Sequence, residues 1–442
     1  MRRRVFLCAA IVVVVLPGSA HAAQRLGVVV APGFDLSDVI RSRSFGRRPV
    51  AVGLLVPDAG PDTSEARARA ALVRGEVENS LRGTPSSGPS VIQLGPRPQR
   101  IVVGIPSGGV QKNNRRYVVF MPADRYGLFT SESTRIPGLV SIADIAPTAL
   151  REEGALGVQP SSDPLGQLRE LDERIRDNGD SRMPGAAIAA GFVVLLALAL
   201  PAAALLGLAC ALGANVVLGA SGVSEPWVVW LVLGLATLVG GVALARTGRS
   251  RTAVGIVLVA VLAAYLVAMA IDQSWIALSP LGPTQNARFY GLSNLLETML
   301  LVPALAGAAL LARRFGPLAF LGTAALAVAT IALSRFGADA GGALVLGAAY
   351  GALAVALTGA RRRALAAGIA GAVALAGGVL FVDARRSFGR RRCGRRPVRS
   401  CRPCCALVGA RDGGLGSGPH RRGGDRRARR PRRAPSPTPC RP

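Results

Sequence analysis

Histidine is nearly missing from this chain of 442 residues: His21 and His420, one close to each end, are the two it has. The long stretch between them can supply neither a Ser-His-Asp triad nor a metal centre that leans on imidazole. Cysteine is scarce where it would matter, with Cys8 near the start, Cys210 in an apolar run, and Cys393, Cys401, Cys404, Cys405 and Cys440 near the end. From Gln24 to Gln159 there is none, which excludes a disulfide framework there. Lysine is reduced to Lys112, so basic charge is arginine almost throughout, a coding bias of GC-rich genomes rather than a function. Acidic residues thin out in the second half, where Glu225, Asp272, Glu297, Asp339 and Asp383 are the only ones between Pro184 and Asp383.

What is abundant is apolar. Hydrophobic residues make up 50% of the chain and the mean hydropathy is +0.39, too high for an ordinary soluble protein. A net charge of +28 would suggest nucleic acid or an anionic surface as partner, but its distribution is uneven. Nineteen arginines against Asp412 and Asp425 put +17 of it after Asp383.

The first segment, 1–22, has the three parts of a secretory signal peptide: Arg2 to Arg4, an apolar run from Val5 to Leu16, and Ala20-His21-Ala22 before a cleavage point. An uncleaved first membrane helix is the alternative, against which the shortness of the run counts. Residues 23–160 form an extracytoplasmic α/β domain. RLGVVVAPG, PVAVGLLVPDAG, RIVVGIP and RYVVFMP read as buried strands, and a helix starts near Thr63 or Ser64. Strands alternating with helices predict a largely parallel sheet. In 161–183, Asp163-Pro164 is an N-cap and first-turn pair, and Leu165, Leu168, Leu171 and Ile175 mark an amphipathic stalk.

Residues 184–383 read as an all-α transmembrane bundle of about eight helices, at 186–202, 205–221, 226–245, 252–271, 295–312, 316–334, 340–359 and 364–382. The first two form a hairpin turning near Pro201, or one long helix with a re-entrant end. Short cytoplasmic loops are rich in arginine, and Arg246, Arg249 and Arg251, then Arg313 and Arg314, then Arg361 to Arg363 mark three of them. With the first domain outside, an even number of crossings must precede Glu225, which favours the hairpin.

That topology puts all five carboxylates of the bundle at or near the outer face, where they either cap helices or mark a site. The longest outer connector, Asp272 to Asn294, is dense in hydrogen-bonding side chains. Arg288, Tyr290, Asn294 and Glu297, with Arg335 and Asp339 from the next outer turn, are candidates for one outward-facing polar pocket.

The stretch from Thr130 to Leu150, and above all Asp144-Ile145-Ala146-Pro147-Thr148, resembles the alkaline phosphatase-like superfamily, where such a sequence marks a strand-to-helix junction. The resemblance implies a reduced α/β fold of that kind, with Asp144, Pro147 and Thr148 as structural motif residues. It also implies two divalent metals held by Asp and His and a Ser, Thr or Cys nucleophile. This chain departs from that pattern. Ala31-Pro32-Gly33 stands where a metal-binding Asp belongs, Asp35 and Asp38 follow in a stretch that reads as helix, and Glu132-Ser133 stands where an Asp-His pair belongs. No catalytic residue, metal or cofactor is therefore expected.

After Asp383 the sequence turns to Arg, Pro, Gly and Cys. A nucleic-acid tail lacks interleaved aromatics and would lie outside the cell, and Cys401, Cys404, Cys405 and His420 match no common zinc spacing. A frameshift in a GC-rich gene explains 384–442 best. The functional expectation is a multi-pass protein of the cell membrane with a non-catalytic extracytoplasmic binding domain. Its partners would be the lipid bilayer and an envelope protein or a glycan or lipid ligand, with no nucleic acid. A transporter or handler of lipid-linked substrates is the alternative, and a metal-dependent phosphoester or sulfate-ester hydrolase the third reading.

Overall fold

The computed structural model describes residues 26–41, 50–77, 94–95, 99–124, 126–150, 155–247, 250–285, 289–333 and 340–358. The signal segment, the span expected at 364–382 and the arginine-rich tail lie outside the described residues.

Apolar runs in the first domain become strands because β-branched residues alternate between two buried faces. The four expected strands are β1 (Gly27–Pro32), β2 (Val50–Val56), β4 (Arg100–Ile105) and β6 (Tyr117–Pro122). Between and after them come β3 (Asp62–Thr63), β5 (Gln111–Lys112), β7 (Gly127–Thr130), β8 (Leu139–Ser141) and β9 (Gly157–Pro160). The main sheet runs β1-β4-β6-β2-β7-β9, with β8 also paired to β2. It is mixed, which corrects the expectation of a largely parallel sheet. β1 and β4 are parallel, as are β2 with β7 and β8, but β6 runs antiparallel to both its neighbours and β9 antiparallel to β7. β6 follows β4 after a turn and the short β5, too short a link for a parallel crossover.

On β2, Ala51 and Leu55 join one core while Val52, Leu54 and Val56 join the other; on β6, Tyr117 and Val119 oppose Val118 and Phe120 in the same way. The first face is covered by α2 (Glu65–Arg74) and α3 (Ile145–Leu150). α2 begins where Ser64 accepts a hydrogen bond from Arg67 N and ends at Gly75, whose φ of 67° suits glycine. The second face is covered by α1 (Leu36–Arg41) and by α4 (Pro164–Ala199). All four residues of the amphipathic stripe, Leu165, Leu168, Leu171 and Ile175, pack into this second core. Burying each leucine contributes about 1.5–3 kcal/mol, so Leu168→Asp would detach the helix from the sheet.

α4 is a single helix of 36 residues, and Pro184, expected to open the membrane part, lies inside it. Its neighbourhood is closely packed: a Cβ at Gly185 would meet Leu233 and Trp230, and Trp230 donates its indole N–H to Ser181 O at 3.3 Å. α4 ends at Ala199 and α5 (Pro201–Ser221) turns back against it, the hairpin at Pro201.

α6 (Pro226–Leu235), a π-helical turn (Ala236–Gly240) and α7 (Gly241–Thr247) form one continuous span. Then come α8 (Arg251–Ile271), the short α9 (Ser274–Ala277), α10 (Asn294–Phe315), α11 (Pro317–Ile331) and α12 (Ala340–Thr358). Among the described residues, five helices are long and apolar enough to cross a membrane, and α11 and α12 are shorter apolar helices. Leu198, Val217, Trp227, Ile271 and Leu318 are more than half exposed on these helices, which is how an apolar helix meets lipid.

Candidate functional site

The described parts of the connector between α8 and α10, residues 272–285 and 289–293, are sandwiched between the bundle and the α/β domain. Toward the bundle it is held by neutral groups. Asn215, fully buried in α5, donates to the Tyr265 hydroxyl at 3.0 Å and to Ser279 Oγ at 3.1 Å, and accepts from Leu281 N at 3.0 Å. Tyr265 in turn donates to Leu212 O at 3.1 Å. At Gly219 the helix backbone comes so close to the connector that any Cβ would overlap the Trp275 carbonyl oxygen.

Toward the domain the same connector is held mostly by guanidinium groups. Arg116, in the turn before β6, donates to Gln285 O at 3.0 Å. From α4, Arg182 reaches Pro283 O at 2.8 Å, Asn178 reaches Leu278 O at 2.7 Å, and Arg174 reaches Leu278 O at 3.2 Å and also Gly219 O. Arg135 lies over the Tyr290 ring at 3.9 Å and donates to Gln273 Oε1 at 3.3 Å. The connector carbonyls among these lie outside helix and strand, and charged donors satisfy them strongly. Ala277, Leu278 and Phe289 complete the seat by entering the core that holds Leu168 and Leu171. Burial lowers the Arg116 guanidinium to about 10, which leaves it charged at neutral pH.

Of the six residues expected to line an outer pocket, Arg288, Arg335 and Asp339 lie outside the described residues. Tyr290 is half-buried beneath Arg135, Asn294 is exposed at the first turn of α10, and Glu297, three residues on, is buried and engaged. The residues that sequence reasoning passed over are Asn178, Asn215 and the clamp arginines. Asn215 left a signal, a carboxamide in the middle of an apolar run. The arginines left none, since their partners are backbone carbonyls up to 169 residues away.

Beside the clamp, between α1, the turn before β6 and the upper part of α4, lies a cleft of about 210 Å³. Three ion pairs line it: Arg115 with Asp35, Arg176 with Asp172, and Arg169 with Glu173 at 2.9 Å. Asp35 also caps α1, accepting from Ser37 Oγ at 2.6 Å and from Asp38 N at 3.3 Å. Burial pushes its carboxyl up, but the hydrogen bonds from Ser37, Asp38 N and Arg115 outweigh that and hold it below its ordinary value. Asp172 is 5% exposed, and its Oδ1 has no hydrogen-bond partner.

The motif residues of the domain have local work. Asp144 Oδ2 accepts from Ser131 Oγ and Ser133 Oγ, both at 2.8 Å, and from Ser141 N at 2.9 Å, closing a capping box on the 3-10 turn Ile142–Asp144. Burial raises its pKa and these three bonds oppose the rise. Thr148 donates to Asp144 O at 2.6 Å and accepts from Leu156 N at 2.9 Å, while Pro147 lies inside α3. Beyond the end of β2, Asp58 is fully buried with Arg67 at 3.3 Å, and burial pushes its carboxyl up to about 6. Among the described residues, no group of three or more His, Cys, Asp or Glu side chains is placed to hold a metal ion.

No protein-family model, no curated protein and no solved structure matches this chain.

Proposed function

We propose that this chain is a multi-pass protein of the cell membrane whose α/β domain lies outside the cell and serves as a binding module on a fixed seat. The domain is a reduced, non-catalytic variant of the alkaline phosphatase-like plan, and the bundle has about eight helices. The observation that carries the binding reading is the seat itself: donors from the turn before β6 and from α4 close on the carbonyls of one connector, with the open cleft beside them. Orientation is supported by the arginines. Arg246, Arg251, Arg313 and Arg314 stand at the helix ends opposite the connector, where cytoplasmic charge belongs.

Two experiments test this. A cysteine placed at Val110, which is 74% exposed, should react with a membrane-impermeant thiol reagent in intact cells; labelling only after lysis would refute the orientation. In a deletion strain, Arg169→Gln in the cleft should lose complementation while Glu297→Gln keeps it. The reverse result would favour a transporter or lipid-linked-substrate handler working through the outer end of the bundle. What speaks for that second reading is Glu297, a buried carboxylate in the first turn of a membrane helix.

A further inference from the structure

We propose that the α8–α10 seam, at the end of the bundle away from the connector, binds the phosphate of an anionic phospholipid between Arg251 and Arg314; this rests on the membrane reading above and not on the binding module. The seam is tight and antiparallel. A Cβ on Gly255 would meet Leu310 and Leu311 at 3.1 Å, and one on Gly307 would meet Val259 at 2.8 Å. Arg251 stands four residues before Gly255, and Arg314 stands three residues after Leu311 and four after Leu310. Residues at those spacings share a helix face. Both arginines therefore leave the seam side by side, about one turn beyond the Gly255 contact.

The chain offers them no carboxylate. There is no Asp or Glu from Ser181 to Ser224, from Pro226 to Ile271, or from Thr298 to Ala338, which takes in the α4–α5 turn, α6 to α8, α11 and all of α10 beyond its first turn. The arginines at the connector end are engaged within the protein, Arg174 and Arg182 with carbonyls and Arg169 and Arg176 with carboxylates. Arg251, Arg313 and Arg314 are exposed instead, and the Arg314 guanidinium lies 5.8 Å from the centre of the Phe315 ring.

Like charges held at one level repel each other, so this end of the seam needs an anion from outside the chain. At the ends of membrane helices the anions in reach are lipid phosphates, whose oxygens match the guanidinium fork. A lipid with net negative charge is preferred, because phosphatidylcholine brings a cation of its own. Inorganic phosphate has the same head chemistry but no chains. Phe315 and Leu318, 57% and 80% exposed, follow Arg314 directly and offer an acyl chain an apolar surface, which favours the lipid.

The test uses the full chain in phosphatidylcholine nanodiscs with a rising share of phosphatidylglycerol, read by the thermal midpoint. A ligand of the folded state raises the midpoint, and a single site saturates. The wild-type rise should level off at a low share, and the double variant Arg251→Gln, Arg314→Gln should need at least about tenfold more phosphatidylglycerol to reach half of it. Arg246→Gln removes an equal charge from the end of α7, which packs on α5, and should shift that half-point less than about twofold. Should the double variant fail to fold, Arg251→Gln alone should shift it about threefold. An equal loss in Arg246→Gln and Arg251→Gln, a rise that never levels off, or no rise at all would overturn the proposal. Inorganic phosphate that stabilises the chain in pure phosphatidylcholine as far as phosphatidylglycerol does would overturn it as well. Labelling at Val110 and complementation by Arg169→Gln are independent of this seam, so its failure would leave the orientation and the binding module standing.

Discussion

The two faces of the connector solve one problem with different chemistry. Its bundle face is secured by the Asn215 carboxamide, itself held by the Tyr265 phenol, and by a glycine contact, all neutral, while its domain face is secured chiefly by Arg116, Arg135, Arg174 and Arg182. The change follows the solvent. Neutral donors can be buried among apolar helices at modest cost, whereas a guanidinium is tolerable only where water or several carbonyls compensate it. The described part of the connector, whose one helix is the four-residue α9, is thereby held from both sides.

The largest expected effect is at Gly219. Valine there must drive the α5 and connector backbones apart, and we expect a loss of more than about 4 kcal/mol, read as failure to recover a monodisperse protein; a wild-type melting curve would remove the close contact from the comparison. Next are Asn215→Leu and Arg116→Met, each costing about 1–3 kcal/mol because buried partners lose their bonds. Their double mutant sharpens the comparison. If the connector is one cooperative wedge the two should couple by more than about 0.5 kcal/mol, and strict additivity would make its faces independent.

A pH titration probes the domain away from the connector. Asp58 has its folded pKa raised from 3.8 to about 6. The folded form therefore holds that proton more tightly than the unfolded form. Its stabilising contribution is complete below about pH 4 and is lost as pH rises through about 6, a swing on the order of 3 kcal/mol. Asp58→Asn should flatten this part of the melting profile, and Asn215→Leu should leave it in place. The smallest effect is expected at Arg135, where φ is 57°. Glycine would relieve the backbone and forfeit the contact with Tyr290, for a net change within about 0.5 kcal/mol by thermal unfolding.

Much of the frame was legible because it rests on local pattern. The apolar runs of β1, β2, β4 and β6, the Ser64 cap, the stripe from Leu165 to Ile175 and the turn at Pro201 are all signals spanning a few residues. The short strands β7, β8 and β9 were not, since GLFT, LVS and GVQP carry too little alternation to stand out. Nor was the continuity of α4 through Pro184, since a proline inside an apolar pattern ordinarily marks a helix start or break. Of the site, Tyr290 was picked out because its connector is dense in hydrogen-bonding side chains and Glu297 as one of the few carboxylates of the bundle, but the direction in which Tyr290 is engaged depends on Arg135 from the first domain.

α4 gives this arrangement a mechanical side. A helix of 36 residues is a strut about 54 Å long whose upper turns belong to the core of the sheet and whose lower turns are apolar. Apolar helices adjust their tilt to the thickness of the bilayer around them. Were that tilt to change, Leu168 and Leu171, fastened at the upper end, would carry it to the sheet and to the cleft wall as leverage, and the posture of the domain would follow the lipid around the bundle.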